Sequence, residues 1–392
     1  MLAFINLFNY LDRWIVAAVV ESIKRSELHL SDTQLGVVGS GFIVVYALTS
    51  PIFGTLGDRR ARPPLIALGV AVWSVATSLA GFARGFTSLF IARSTVGVGE
   101  AAYGTIAPAL LADHFAIEKR GRVLATFYAA IPIGSAAGYV LGGIVDRAFG
   151  WRAAFWIAGA PGLLLSLLVL KVVDPPRGAH DEPGNAATPQ HGNRYVHLLR
   201  NRTFVLSALG YGAYTFALGG LAFWMPAFLE RERHLPHAAE LFGAIAIVTG
   251  FIGTFVGGWL GDLFLQRTKN SYLWVCGITT LLAAPFTFVA LTNHTKWIYL
   301  TAIVIAEVLI FMSTGPVNSA IVNAVAPGER ATALGLSVLV MHLVGDIPSP
   351  PLIGVMSDAS SLERAFLIVP VAIVIGGLIW SYAAWIGDRA TT

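Results

Sequence analysis

The chain has 392 residues, of which 56% are hydrophobic and 12% charged, and its mean hydropathy is +0.70. That charged share is about half the ~25% of an ordinary soluble domain, which excludes a soluble globular protein and points to many membrane spans. The net charge of +4 reflects how basic residues are distributed among loops and marks no nucleic-acid partner, while the single cysteine, Cys276, excludes a disulfide framework or a cysteine metal cluster. The nine histidines are scattered without ligand spacing, so neither metal nor organic cofactor is expected.

Apolar stretches of the ~20 residues needed to cross a bilayer follow one another from Leu2 to Ile386. A β-barrel would show short alternating segments, so the fold class is an all-α membrane protein. Twelve helices are predicted, over residues 2–21, 33–56, 64–83, 86–111, 121–145, 152–172, 203–228, 240–264, 271–292, 297–325, 331–356 and 364–386.

The first helix carries Asp12-Arg13 in its middle, so it is no signal peptide. It starts at Met1 without a hydrophilic lead, which suggests a missing N-terminal tail. Between the second and third helices lies Gly54-Thr55-Leu56-Gly57-Asp58-Arg59-Arg60-Ala61-Arg62, in which the glycines permit a tight turn and close approach and Asp58 can cap a neighbouring helix. The fourth helix holds Arg93 and Glu100, seven residues apart and on one face. At about 1.5 Å per residue from the end where helix one begins and helix four ends, Asp12 and Glu100 both lie roughly 15 to 17 Å deep, near the middle of a ~30 Å core. They can meet, with Arg13 between them. The plainer reading is a salt bridge that braces the two helices, but an excess acid in hydrocarbon costs several kcal/mol and usually has a role. Arg93 sits nearer the surface and can snorkel.

The fifth helix contains a run of small residues, Gly134-Ser135-Ala136-Ala137-Gly138-Tyr139-Val140-Leu141-Gly142-Gly143, suited to close packing. Residues 174–202, rich in Pro, Gly, Asn and His, read as a flexible linker between six-helix bundles at 1–173 and 203–392. Aromatic residues crowd helix seven, Tyr211 and Trp224 among them, and Tyr103 and Tyr128 lie in the first half; those facing a cavity suit a substrate with an acyl chain. Gly258-Trp259-Leu260-Gly261-Asp262 echoes the Gly54–Asp58 segment, which points to an internal six-helix repeat. Glu307 in helix ten and Asp346 in helix eleven are the remaining intramembrane acids, the second beside three prolines that interrupt helical hydrogen bonding. There Asp346 can cap the restarted helix, and Glu307 can be a protonated acid bonded to a helix neighbour.

Lysine and arginine divide unequally between alternate loops, fifteen against nine, leaving only Arg13 and Arg93 within spans. The richer set includes Arg59, Arg60, Arg62, Lys119, Arg120, Arg122 and Arg177, and by the positive-inside rule it is cytoplasmic, with both termini inside.

The Gly54–Arg62 segment resembles motif A of the major facilitator superfamily, Arg93–Glu100 its motif B, and the helix-five glycines its antiporter motif C with Tyr139 where proline is usual. More narrowly, Asn9-Tyr10-Leu11-Asp12-Arg13, Gly97–Tyr103 with Ala107-Pro108, Phe127–Ser135 and Gly345-Asp346 with Ser349-Pro350 resemble the spinster family of that superfamily. Helix ten departs from it at Ser313–Asn318. The resemblance implies a bacterial-type, monomeric inner-membrane transporter that moves a lysophospholipid or sphingoid-type lipid by alternating access. Gly54, Asp58, Arg59, Arg62 and Asp262 would form the gate. Asp12, Arg13 and Glu100 are expected as a proton switch in which both acids compete for Arg13, with protons as coupling ion. Substrate contacts are expected from Arg13, Glu100, Tyr103, Tyr128, Tyr211, Trp224 and Glu307. A transporter of a small organic anion or drug-like compound is the alternative within transport. A ligand-binding receptor would need a signalling domain, and an enzyme a nucleophile or metal motif; neither is found in the sequence.

Overall fold

The computed structural model describes residues 1–115, 123, 126–176, 194–325 and 330–389. The expected start of the fifth helix at residue 121, the loop bases Lys119, Arg120, Arg122 and Arg177, and the Asp58 side chain lie outside the described residues. Regular structure among the described residues is entirely helical. In chain order it comprises α1 (Leu2–Ala18), α2 (Val20–Arg25), α3 (Asp32–Arg59), α4 (Arg62–Ala80), α5 (Phe86–His114), α6 (Ala130–Phe149) and α7 (Trp151–Val169). There follow α8 (Arg194–Arg200), α9 (Arg202–Arg231), α10 (Ala238–Phe264), α11 (Ser271–Thr292), α12 (Lys296–Phe311) and α13 (Thr314–Asn323). The last are α14 (Arg330–Met341), a π-helical turn (His342–Asp346), α15 (Ser349–Ala359), α16 (Leu362–Ala365) and α17 (Ile368–Arg389). Ten helices among the described residues are long and apolar enough to cross a membrane. Two further long helices, α1 and α5, carry the ionisable side chains Asp12, Arg13, Arg93 and Glu100.

Contacts group the chain into two compact units, Met1–Ala186 with Phe223–Ala244, and Ala187–Ala222 with Ile245–Thr392. In the first, glycine decides which backbones can touch. Gly134, Gly138 and Gly142 form one stripe of α6, and α1 lies directly upon it: an added Cβ at Gly138 would stand 2.5 Å from the Leu11 carbonyl oxygen. One at Gly134 would collide with the carbonyl of Leu7. In α5 two glycines face different neighbours: a Cβ at Gly97 would meet the α3 backbone at Phe42 O, 2.5 Å, and one at Gly99 the α4 backbone at Trp73 N, 2.6 Å. Without water to separate them, membrane helices associate through such close approach. Gly97 and Gly99 thus wedge α5 between α3 and α4 and carry Arg93 and Glu100 into the centre of the unit.

Local chemistry sets the ends. Ser31 and Gln34 form a reciprocal capping box at the start of α3, the Ser-x-x-Gln pattern satisfying two orphan donors. Arg152 at the start of α7 donates to the carbonyls of Gly81 (2.9 Å) and Ala83 (2.8 Å) and to Glu27 Oε1 (2.5 Å). The Arg152 guanidinium holds the Glu27 carboxyl below the usual carboxylate range. The pair's contribution is therefore present above glutamate's ordinary titration and fades as pH falls through the lowered value.

Several expectations need correction. Gly54 and Gly57 lie within α3 rather than in a turn, because the helix continues to Arg59. Gly57 packs against Ile106, but nothing lies within 4 Å of an added Cβ at Gly54, so only one of the two serves close approach. The segment read as linker contains α8, whose Leu198 is buried, and Asn201 then ties it down by donating to Ala324 O (2.7 Å) and accepting from Phe204 N (3.1 Å). Of its aliphatic residues only Leu198 is buried, while Val196 and Leu199 are exposed.

Gly138→Leu should force α1 off α6 and cost about 1–3 kcal/mol by overpacking, whereas Gly54→Ala should leave stability unchanged or raised. Thermal unfolding of the two purified variants checks this; equal melting temperatures would contradict the packing account.

Candidate functional site

Four charges from two helices meet inside the first unit, and they pair in a crossed pattern. Arg13 on α1 donates to Glu100 Oε2 on α5 through Nη2 (2.7 Å) and Nε (3.2 Å). Arg93, two turns away on the same face of α5, donates through Nη1 to Asp12 Oδ1 at 3.2 Å, and the Thr77 hydroxyl of α4 donates to the other oxygen of Asp12. Arg93 also reaches the backbone carbonyls of Asp12 and Arg13, both at 3.5 Å. Two corrections follow for the sequence reading. Asp12 does not share Arg13 with Glu100, since its carboxylate is held by Arg93 and Thr77. Arg93 does not snorkel: with 1% of its side chain exposed, it bends inward, because a buried carboxylate on α1 offers more than the distant interface.

The two pairs differ in access. Asp12 and Arg93 are sealed, each side chain 1% exposed. Glu100 is equally buried, but Arg13 keeps 23% of its side chain exposed. Its guanidinium lies over three aromatic rings, Tyr10 (4.7 Å), Phe42 (4.8 Å) and Tyr46 (5.4 Å), a cation–π setting that tolerates a partly desolvated cation. Both donors of Arg13 go to one oxygen, so Glu100 Oε1 is buried without a hydrogen-bond partner. Arg93 Nε is buried without a partner as well, so the cluster holds one unsatisfied acceptor and one unsatisfied donor.

The other nominated residues fall in separate places. Tyr103 is fully buried, donates to Leu2 O at 2.5 Å and packs edge-on to Trp73, so it acts as a core brace rather than a wall of an opening. Tyr128 is 47% exposed and edge-on to Phe127. Trp224 is buried beside Phe223. In the second unit Tyr211 packs on Tyr214, and Glu307 is buried against Thr249 on α10. Asp346 caps nothing. It sits in the π turn and faces His342 Nδ1 at 2.9 Å, while Pro350 occupies the first turn of α15, where its missing N–H costs nothing. The motif residue Arg62 is 2% exposed and gathers Asp113 (2.6 Å), Asp174 (2.8 Å) and the Pro175 carbonyl (3.0 Å), joining the start of α4 to the chain after α7. Arg59 is exposed, and Asp262 accepts from the Tyr272 hydroxyl at 2.8 Å.

A second charged cluster escaped the sequence reading. Arg231 at the end of α9 donates to Asp32 (2.6 Å) and Glu21 (2.8 Å), Lys24 pairs with Asp32 (2.7 Å), and Arg25 with Glu230 (2.9 Å). Ser22 donates to Asp146, and Arg147 pairs with Glu240. By the loop count these bases are no more than loop charges. The signal lay in the acids: Glu21 and Asp32 flank the same break, and the positive-inside rule does not weigh them.

Residues 2–348 match the family model of the Major Facilitator Superfamily, and the chain belongs to that superfamily of multi-pass membrane transporters. Protein spinster homolog 3 of Danio rerio is 37% identical over 413 residues, covering 97% of this chain and 83% of the relative. Protein spinster homolog 1 of Homo sapiens is 37% identical over 381 residues, covering 91% and 72%. Sphingosine-1-phosphate transporter SPNS2 of Danio rerio is 33% identical over 428 residues, covering 99% and 84%. Within the superfamily the chain is a member of the spinster family. Its fold is also that of the crystal structure of a bacterial homolog to human lysosomal transporter, Spinster, in inward-facing and unoccupied conformation, with a TM-score of 0.90 at 24% identity, covering 99% of this chain and 96% of that one.

Arg93→Ala should strand Asp12 as a buried carboxylate and cost about 3–5 kcal/mol, whereas Arg13→Ala, whose side chain is partly open, should cost less. A double-mutant cycle of Asp12→Asn and Arg93→Gln, read by thermal unfolding, should give a coupling energy larger than the Asp12→Asn and Arg13→Gln cycle. Coupling to Arg13 as strong as to Arg93 would contradict the crossed pairing.

Proposed function

We propose that the chain is a proton-coupled secondary transporter that moves an amphiphilic, lipid-like substrate with an anionic headgroup across the membrane by alternating access. The observation that carries this reading is Arg13, a cation at mid-span depth, partly exposed among aromatic rings and, among the described residues, ion-paired with Glu100 alone. The kinship with Sphingosine-1-phosphate transporter SPNS2 supports a phosphorylated lipid, either a sphingoid base or a lysophospholipid. We place the chain in the inner membrane as a monomer with twelve spans, in halves at 1–173 and 203–392, and with both termini cytoplasmic.

Charge balance supplies the coupling. Asp12 and Glu100 offset Arg13 and Arg93, so the cluster is neutral as it stands. Protonating Glu100 alone would leave one uncompensated cation in the span, and an added anion alone one uncompensated negative charge; either state costs several kcal/mol. A proton on Glu100 and an anionic headgroup on Arg13 restore neutrality together. The guanidinium offers the forked donors that phosphate oxygens accept in pairs. Tyr10, Phe42 and Tyr46 provide apolar surface for the adjoining chain. In this scheme Glu100 carries the proton, and Asp12 with Arg93 fixes α1 against α4 and α5.

In proteoliposomes, flux of a labelled lysophospholipid or sphingoid phosphate should follow an imposed pH gradient. Glu100→Gln should retain exchange but lose the dependence on the gradient. Arg13→Ala should weaken binding about tenfold or more, the loss of a charge-assisted pair. Flux indifferent to the gradient in the unaltered protein would refute coupling, and gradient-driven flux of small organic anions without lipid flux would refute the substrate class.

A further inference from the structure

Glu307 lies outside the charged cluster, in the second unit, eleven residues into α12 from Lys296. That is about 16 Å along the helix, close to the middle of a ~30 Å core. Its side chain is 92% removed from solvent, with a relative exposure of 8%. Among the described residues no lysine, arginine or histidine lies within ion-pair distance of its carboxyl, and its sole hydrogen-bond partner is Thr249 of α10, Oγ1 to Oε2 at 2.8 Å. The same Thr249 hydroxyl stands 2.8 Å from the carbonyl oxygen of Ile245, one turn back. A hydroxyl has a single hydrogen to donate and lone pairs to accept with. A carbonyl can only accept, so if Thr249 makes the usual back-bond to the preceding turn, the hydrogen between Thr249 and Glu307 must come from the carboxyl.

The energetic alternative points the same way. A carboxylate at this depth with one neutral hydrogen bond and no cation would cost several kcal/mol, whereas a neutral acid that donates is satisfied. The titratable side chains on the packed elements do not change this. Glu240 and Asp262 stand nine and thirteen residues from Thr249 along α10, about 14 and 20 Å away. Tyr214 of α9 spends its hydroxyl on Ile310 O (3.2 Å), and Cys276 of α11 is directed at Ser313 O. On α12 itself, Lys296 is at the helix start and Tyr299 two turns before Glu307.

We propose that Glu307 is a second proton-binding site of this chain, holding its proton in the conformation described here as a neutral acid that donates to Thr249. The bonded pair pins α10 to α12 just before the break between α12 and α13. On the same stripe of α10 an added Cβ at Gly253 would stand 2.6 Å from Val308 O, and one at Gly257 would collide with Met312, so the backbones approach closely beside the pair. Removing the proton leaves an unpaired carboxylate in the seam. The stability this site contributes is therefore present at low pH and lost as pH rises through its titration. The proposal does not depend on Arg13 or Glu100, and its test requires no transported substrate.

Infrared difference spectroscopy of the purified full chain labelled with isotopic glutamate reads the site directly. At neutral pH the unaltered protein should show a protonated carboxylic-acid carbonyl band that Glu307→Gln removes and that Glu100→Gln does not abolish. Thr249→Val should shift that band, and Thr249→Ser should leave it in place; this arm stands even where Glu307→Gln fails to fold. Melting temperature should fall with rising pH by a component that Glu307→Gln lacks. A carboxylate stretch at neutral pH assigned to Glu307, or a band indifferent to Thr249→Val, would overturn the proposal.

Discussion

The structure of the first unit depends on one constraint, the cost of an unpaired charge in hydrocarbon. Asp12, Arg13, Arg93 and Glu100 together are tolerable because each acid has its own base, and their pairing fixes the rotation of α1 and α5 about their axes. Turning either helix by one residue, about 100°, would separate both pairs at once. The glycines serve that arrangement. Gly134, Gly138 and Gly142 let α1 settle on α6, and Gly97 and Gly99 let α5 enter between α3 and α4, so that arginines of limited reach meet acids on another helix.

Within the four-charge cluster there is a division of labour. The Asp12–Arg93 pair is enclosed, reinforced by Thr77 and by two backbone carbonyls, and resembles the buried pairs whose breakage is expensive and whose role is geometric. The Arg13–Glu100 pair leaves one carboxylate oxygen unsatisfied and part of the guanidinium open. The sealed pair has an unsatisfied atom of its own, Arg93 Nε, so what separates the two pairs is the opening at Arg13.

Much of this was legible in the chain itself. Hydropathy gave the helices, the Ser31-x-x-Gln34 pattern announces a cap, and three ionisable groups at one depth located the cluster. The partners of Arg93 and Arg62 were not legible. Arg93 and Glu100 share a face, which suggested one site, but a long arginine chain can turn toward either neighbour, and packing against Phe155 and α1 decides. Arg62 finds Asp113 and Asp174 across 51 and 112 residues of sequence, a distance at which periodicity says nothing. The prolines after Asp346 were correctly read as an interruption, yet the π turn precedes them, and Pro350 begins a helix rather than breaking one. Glu307 was visible as a lone acid, but its donor role required the position of the Thr249 hydroxyl relative to Ile245.

The central claim is that a proton on Glu100 and an anion on Arg13 arrive together. Calorimetric titration of the purified protein with an anionic lysolipid, repeated in buffers of different ionisation enthalpy, counts the protons taken up per ligand bound. The account predicts net proton uptake with each ligand near neutral pH and none in Glu100→Gln. Ligand binding with no proton uptake in the unaltered protein at any pH where it binds, or the same uptake in Glu100→Gln, would contradict it.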